Sequence, residues 1–299
     1  MTQSTRYRGR FAPTPSGPLH FGSLVAALGS YLDARAANGT WLVRIENIDP
    51  PRCPPGTDST ILRQLEAFGL TWDETVHWQH DRNAAYQQAL DRLAAQGLAY
   101  PCSCSRKQWQ AFSVYPGWCR QGLRDPNKPV AWRLRSDLAT RPIGWQDRLF
   151  GWQQFDPETL GDVVLKRKDD LWAYQLAVVV DDAEQGITDV VRGFDLLDNT
   201  PWQRQLQIAL ALDEPRYLHL PLVVTPQGQK LSKQNLAPAL ADDEPGIRHQ
   251  LFQALKALDQ APPHELSRAP VTTQLDWAVA HWSVDHLAPS AHRELPQEP

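Results

Sequence analysis

Long apolar runs are missing from this sequence. None exceeds five residues, as in Leu176 to Val180, where a membrane-spanning helix needs about twenty. No positively charged segment leading into an apolar run opens the chain, which argues against a secretory leader; a cytoplasmic protein is expected. Cysteine is scarce. Of four, three crowd between Cys102 and Cys119, so an evenly spread disulfide framework is excluded and metal binding becomes the leading use. Excess positive charge is absent too. A net charge of −4 and a pI near 6.1 give no global attraction to a polyanion, so any nucleic-acid contact must come from local basic patches. No internal repeat is visible.

With 299 residues and 42% hydrophobic content, there is enough material for a sizeable core. The segment Arg8 to Ala12 reads as a strand entering the Pro/Gly loop Pro13 to Pro18. Leu24, Ala27, Leu28, Tyr31 and Leu32 then recur at helical spacing within Ser23 to Ala37, and Asn38-Gly39 supplies the stop. Trp41 to Glu46 completes a βαβ unit, which predicts an α/β fold with a parallel sheet. Helices are predicted over about 60–68 and 83–96. Residues 101–170 change character, with cysteines, tryptophans and prolines, and read as an insertion between two halves of the sheet. Tyr174 to Val180 reads as a near-continuous buried strand, followed by helices near 202–212, 247–258 and 272–282 and a disordered polar tail.

Two constellations carry chemistry. The first, Arg10 to Ser23, lies where a strand meets a helix start, whose free N–H groups and partial positive charge favour a phosphate. His20 adds a donor there and Gly22 lets the backbone approach. An ordinary capped helix would look the same. The second, Lys230-Leu231-Ser232-Lys233-Gln234, offers two lysines that can neutralise charge on a departing pyrophosphate; alone it is indistinguishable from a solvated basic loop.

Together and in this order, the two resemble the nucleotide-binding signatures of class I aminoacyl-tRNA synthetases. The stretches Arg10 to Ser16, Arg44 to Asp49 and Val191-Arg192-Gly193 point to the glutamyl branch, and the likeness spans about residues 5–240. Only about sixty residues follow the lysine loop, too few for the helical anticodon-reading domain of a full glutamyl-tRNA synthetase. That shortness, Asp49-Pro50-Pro51-Arg52 and the cysteine cluster resemble the glutamyl-Q tRNA(Asp) synthetases. The resemblance implies a Rossmann-like catalytic domain in two halves (1–100 and 171–240), a zinc-bearing insertion (101–170) and a small helical region with a flexible tail (241–299). It implies ATP with Mg²⁺ and L-glutamate as substrates, activation without tRNA, and transfer to the queuosine base of tRNA(Asp) by a monomer. Charging of a tRNA 3′ end, or a catalytically silent RNA-binding paralogue, remain the alternatives.

The same resemblance distributes roles. Arg10, Phe11, Ala12, Pro13 and Thr14 would bind glutamate with Glu46, Tyr174 and Arg192; His20, Gly22, Lys230, Ser232 and Lys233 would handle ATP, with His20, Lys230 and Lys233 catalytic. A guanidinium matches a carboxylate with two parallel hydrogen bonds, so Arg10 is expected on the glutamate side chain and Glu46 on its ammonium. Glutamine would leave Arg10 poorly paired, at about 3–5 kcal/mol by analogy with broken buried pairs. Asp181 and Asp182 close the expected strand and could merely cap the next turn. Two positions depart from the family pattern: Thr14 stands where it has Ser, and Asn47 where it has Asp. If a charge at position 47 orients Arg10 or Arg44, glutamate should bind less tightly here.

Zinc favours sulfur ligands in a closed tetrahedral site, and Cys102, Cys104 and Cys119 supply three. No histidine lies between His80 and His219 to be the fourth. The family places a tyrosine there, which is Tyr115 in this chain. Three cysteines packed as small hydrophobes are the alternative. Cys53 looks unrelated.

Overall fold

A computed structural model of the chain describes residues 6–138, 142–224 and 239–294. It opens with β1 (Arg8–Phe11), α1 (Phe21–Ala36) and β2 (Thr40–Ile45), and β1 and β2 pair in parallel. Helix α1 exists because Leu24, Ala27, Leu28 and Leu32 form one stripe, all fully buried; each leucine contributes about 1.5–3 kcal/mol by leaving water. Asn38 turns the chain at φ 50, and Gly39 follows because a Cβ there would lie 2.6 Å from the Tyr7 carbonyl oxygen.

The chain continues through α2 (Thr57–Ala67), β3 (His77–Trp78), α3 (Asn83–Ala95), β4 (Ala99–Cys102), β5 (Ala131–Leu134), β6 (Ile143–Asp147), β7 (Gly151–Phe155), α4 (Pro157–Leu160) and β8 (Val164–Lys166). It ends with α5 (Tyr174–Glu184), β9 (Asp189–Gly193), α6 (Thr200–Ala209), β10 (Arg216–Leu220), β11 (Leu222–Val224), α7 (Glu244–Ala257), α8 (Val271–His281) and β12 (His292–Glu294). Strand order is β1-β2-β3 in one sheet and β7-β6-β10-β9 in another. The two meet where β9 enters beside β1: Thr188 N donates to Arg8 O at 2.9 Å, and Arg8 N to Thr188 Oγ1 at 2.8 Å. The order reverses at this seam, the place where open α/β sheets hold their ligands. β4, β5 and β8 form a separate antiparallel sheet, whereas β6 of the same 101–170 stretch pairs in parallel with β10.

Two expectations are corrected. Tyr174 to Val180 is not a strand but the first part of α5, with Leu176, Ala177, Val178 and Val179 buried. A short apolar run buried on all sides carries no period to tell strand from helix. The helix ends in a Schellman turn: Gly186 (φ 62) donates to Ala183 O at 3.1 Å and Ile187 N to Asp182 O at 2.8 Å. The tail is also ordered further than composition suggested, because β12 adds in parallel to β11, pairing His292 with Leu222 and Glu294 with Val224. The open edge of β11 offers backbone partners that polar side chains do not preclude. Among the described residues no helix is long and apolar enough to cross a membrane.

Candidate active site

The carboxyl ends of β1 and β2 meet α5 in a buried cluster of charge. Arg10, 3% exposed, donates from Nε and Nη2 to the two oxygens of Asp182, at 3.0 and 3.2 Å. Arg44, fully buried, donates from Nη1 to Asp182 Oδ1 at 2.7 Å and Gln185 Oε1 at 2.8 Å, and from Nη2 to Glu46 Oε1 at 3.3 Å. Asp181 lies 3.9 Å from Arg44 Nε and accepts from Gln79 at 2.8 Å and from the Tyr86 hydroxyl at 2.7 Å. Burial works to raise both aspartates, but the arginines around Asp182, and His77, Arg44 and the neutral donors around Asp181, hold each below the usual carboxylate range.

Arg82 also reaches Asp181, at 3.5 Å from its Nε, and pairs with Glu184. Three guanidiniums thus face Asp181, Asp182, Glu184 and Glu46, and Glu46, with only its 3.3 Å contact to Arg44, is the surplus acid. Burial pushes its carboxyl up to about 7 against the pull of Arg44 and Arg10. A cation arriving beside Glu46 would restore its charge. Arg10 has its side-on fork on Asp182, and its Nη1 has no partner among the described residues, so its end-on edge remains for an incoming carboxylate. Tyr174 opens α5 within the field of Arg192, Glu46 and Arg10. Arg192, on β9, is held from three sides: Nε donates to His219 Nε2 at 3.0 Å, Nη1 to Gln203 at 2.7 Å and Nη2 to Thr200 at 2.8 Å. His219 stays neutral because burial, against the pull of Asp147, brings it down to about 4; its Nδ1–H donates to Asp147 at 2.6 Å.

Beside this cluster a cleft of about 470 Å³ opens at the seam of the sheets, lined by Phe11, Pro13, Thr14, His20 and Gly22 on one side and Gly193 and Leu222 on the other. Glu46 N ties the first wall to β2 by donating to Pro13 O at 3.0 Å; Ala12, between Phe11 and Pro13, does not itself line the cleft. His20 caps α1, its Nδ1 accepting from Ser23 N at 3.3 Å, so a neutral ring carries its proton on Nε2. Lys230, Ser232 and Lys233 lie outside the described residues. The chain leaves towards them from Val224 and returns at Ala239, which bridges to His20.

The third assembly is the cysteine knuckle between β4 and β5. The Sγ atoms of Cys102, Cys104 and Cys119 all lie within 4.8 Å of one another, with Cys104 and Cys119 at 3.6 Å. The Tyr115 hydroxyl oxygen is 3.2 Å from Cys102 Sγ and 3.5 Å from Cys104 Sγ. A tetrahedral zinc with bonds of about 2.3 Å to sulfur and about 2.0 Å to oxygen has edges of about 3.8 Å (S–S) and 3.5 Å (S–O). The three thiols and the phenol fit it. Burial opposes ionisation of Cys119, yet hydrogen bonds from the backbone of Arg124, the Tyr115 hydroxyl and the backbone of Ser103 bring it down to about 6, as a thiolate ligand requires. Cys53 stands apart.

Residues 6–112 and 120–256 match the family model for the catalytic domain of class I tRNA synthetases for glutamate and glutamine. The chain belongs to this family. It is an aminoacyl-tRNA synthetase-type ligase, with that class's α/β fold. The chain is 52% identical to a glutamyl-Q tRNA(Asp) synthetase of Pseudomonas fluorescens over 288 residues, covering 94% of each chain. It is 53% identical to the Thiobacillus denitrificans protein of the same name over 287 residues, covering 93% of this chain and 94% of that one. A crystal structure of a glutamate tRNA ligase from Elizabethkingia meningosepticum, in complex with its amino acid, superposes with a TM-score of 0.81 at 25% identity, covering 97% of this chain and 67% of the other.

Sequence reasoning about this synthetase missed Asp181 and Asp182, because a strand reading put them at an edge where α5 in fact carries them into the core. The signal was there: Gln185-Gly186-Ile187 is a helix stop. Position 47 has a different partner from either guanidinium. Asn47 faces His80, accepting from its backbone N at 2.9 Å and meeting its Nδ1 at 2.6 Å, and the guanidiniums are oriented by Asp182 and Glu46. Asp182 already balances Arg10, so a neutral group at the end-on edge in place of a carboxylate would cost only a charge-assisted hydrogen bond, about 1.5–3 kcal/mol, rather than leave a bare buried charge.

Proposed function

We propose that the chain activates L-glutamate with ATP-Mg²⁺, without tRNA, and transfers it to the queuosine base of tRNA(Asp). The observation that carries the amino-acid half is the Arg10–Asp182–Arg44–Glu46 cluster beside the cleft at the start of α1. It presents a free guanidinium edge for a side-chain carboxylate and a surplus carboxylate for an ammonium group, which matches glutamate. Tyr174 and Arg192 close the pocket. In the first step an α-carboxylate oxygen attacks the α-phosphorus of ATP, and the bond to the β-phosphate breaks, releasing pyrophosphate. The Nε2–H of His20, the Gly22 amide, Lys230, Ser232 and Lys233 stabilise the negative charge that builds there. In the second, a hydroxyl of the acceptor base attacks the acyl carbon, loses its proton, and AMP departs with the bonding electrons. Cys102, Cys104, Tyr115 and Cys119 would hold a zinc ion, which when bound would supply structure to the knuckle and take no part in the transfer.

The acceptor is supported by the half-identical relatives, which match this chain nearly end to end and bear that name. The test is ATP-dependent transfer of labelled glutamate to bulk bacterial tRNA, beside tRNA from cells unable to make queuosine. Label on the queuosine-containing pool alone supports the proposal. Equal labelling of both pools moves the reading to 3′-end charging; no labelling and no pyrophosphate exchange moves it to a silent paralogue.

A further inference from the structure

Arg192 is a buried guanidinium without an acid beside it. It is 6% exposed, and its three hydrogen bonds, to His219, Gln203 and Thr200, all end on neutral acceptors. It makes no ion pair among the described residues, although buried charges are ordinarily paired. Two of its five N–H groups also lack an acceptor there. Arg10 and Arg44 differ, since each is held by Asp182. Arg192 keeps its full charge for an incoming carboxylate.

Its aim therefore rests on neutral partners, and His219 is the one that can face it with the wrong nitrogen. His219 and Asp147 are both fully buried, Asp147 at the end of β6 where that strand meets Tyr217 of β10. To accept from Arg192 Nε at 3.0 Å, His219 Nε2 must carry its lone pair, which puts the ring proton on Nδ1, where Asp147 Oδ2 accepts it at 2.6 Å. A proton on Nε2 would set two donors against each other. Burial keeps the ring from holding both protons. Asp147 cannot turn away, because its Oδ1 accepts from Leu149 N and Phe150 N, each at 3.0 Å. One oxygen fixes the turn after β6 and the other fixes the tautomer.

We infer that Asp147 and His219 are positioning residues for glutamate that act through Arg192: Asp147 selects the Nδ1–H tautomer, and Nε2 then aims a guanidinium left uncompensated for a carboxylate. The inference rests on the proposed activation of glutamate, and it gives the 101–170 stretch a share in substrate binding besides its cysteine knuckle. The test begins with Asp147→Asn. Its amide oxygen can replace Oδ1 on the two backbone N–H groups, which turns the NH2 towards His219 Nδ1 and drives the ring proton to Nε2. In glutamate-dependent ATP–pyrophosphate exchange the glutamate KM should rise roughly 10- to 100-fold, as for loss of a hydrogen bond to a charged group, with the KM for ATP within twofold. His219→Leu, which removes the acceptor, should do the same and serves alone if Asp147→Asn does not fold. His219→Gln supplies an amide oxygen that can turn to Arg192 whichever residue stands at 147, so in that background Asp147→Asn should move the glutamate KM less than twofold. Nitrogen-15 spectra of histidine-labelled enzyme, with His219 assigned by its loss in His219→Gln, should show the proton on Nδ1 in wild type and on Nε2 in Asp147→Asn. A wild-type ring protonated on Nε2 overturns the inference. So does an Asp147→Asn effect that persists in the His219→Gln background, a glutamate KM that neither Asp147→Asn nor His219→Leu moves, or a parallel rise in both KM values, which is what general loosening gives. Wild-type enzyme with no glutamate-dependent exchange would sink the activation reading itself, a different outcome from normal exchange that the variants leave untouched.

Discussion

The Arg10–Asp182–Arg44–Glu46 cluster and the cysteine knuckle are both buried polar assemblies, but they are put together in opposite ways. Arg10 and Asp182 are 172 positions apart, on a strand and a helix from different halves of the sheet. Cys102, at the end of β4, and Tyr115 and Cys119, in the connection that follows, are close in sequence, Tyr115 and Cys102 only 13 positions apart. The first can exist only when the whole domain has folded; the second closes a short stretch whose three thiols could hold a metal. A cluster of long-range charge ties stability to catalysis, whereas a local knuckle can be disturbed with the sheet intact.

The sharpest way to break that contrast is Arg44→Met, which removes the cation shared by Asp181, Asp182 and Glu46 and leaves Arg10 on Asp182, Arg82 on Asp181 and buried Glu46 without its hydrogen-bonded cation. A stability loss of about 3–5 kcal/mol is expected, read as a shift of the urea midpoint at unchanged slope. Cys119→Ser should act on the other side only: zinc falls below half an equivalent while pyrophosphate exchange stays within about threefold. Asp182→Asn weakens the grip on Arg10, and the glutamate KM should rise by about tenfold, one charge-assisted hydrogen bond, with the KM for ATP unmoved.

Two smaller effects sharpen the picture. Only ionised Glu46 can hold an ammonium group, so kcat/KM for glutamate should fall as pH drops below about 7, approaching tenfold per unit. For stability the sign is opposite: the unfolded carboxyl ionises near 4.5 and the folded one near 7, so this group's contribution declines as pH rises across that window. Asp181 and Asp182, held low, contribute above the ordinary aspartate range and lose that contribution in acid. Smallest of all, Asn47→Asp should leave the glutamate KM within twofold, because position 47 faces His80; a clear improvement would restore a role for the missing charge.

What sequence could show follows the same division. The β1–α1–β2 unit was legible because its helical stripe, its stop at Asn38-Gly39 and its short strand runs bounded by turn residues are local patterns, and the knuckle because cysteines at short spacing leave few other uses. Helix α5 was not: Leu176 to Val180 is apolar on every side, and β-branched residues in a buried run read as strand until packing decides. Misreading that element hid Asp182, the residue on which both guanidiniums converge. The pairing of β12 with β11 was hidden for a different reason, since its strands are three residues each and its bonds are backbone bonds.

That last pairing bears on how the protein is made. Residue 222 waits for residue 292, and at about 5–20 residues per second on the ribosome the delay is roughly 4–14 s. For that interval the edge that later borders the nucleotide cleft has no partner and can recruit a strand from another chain. Slow or paused translation over the seventy codons between these two residues should therefore favour aggregation over yield, and co-expression with a chaperone that covers open edges should recover it.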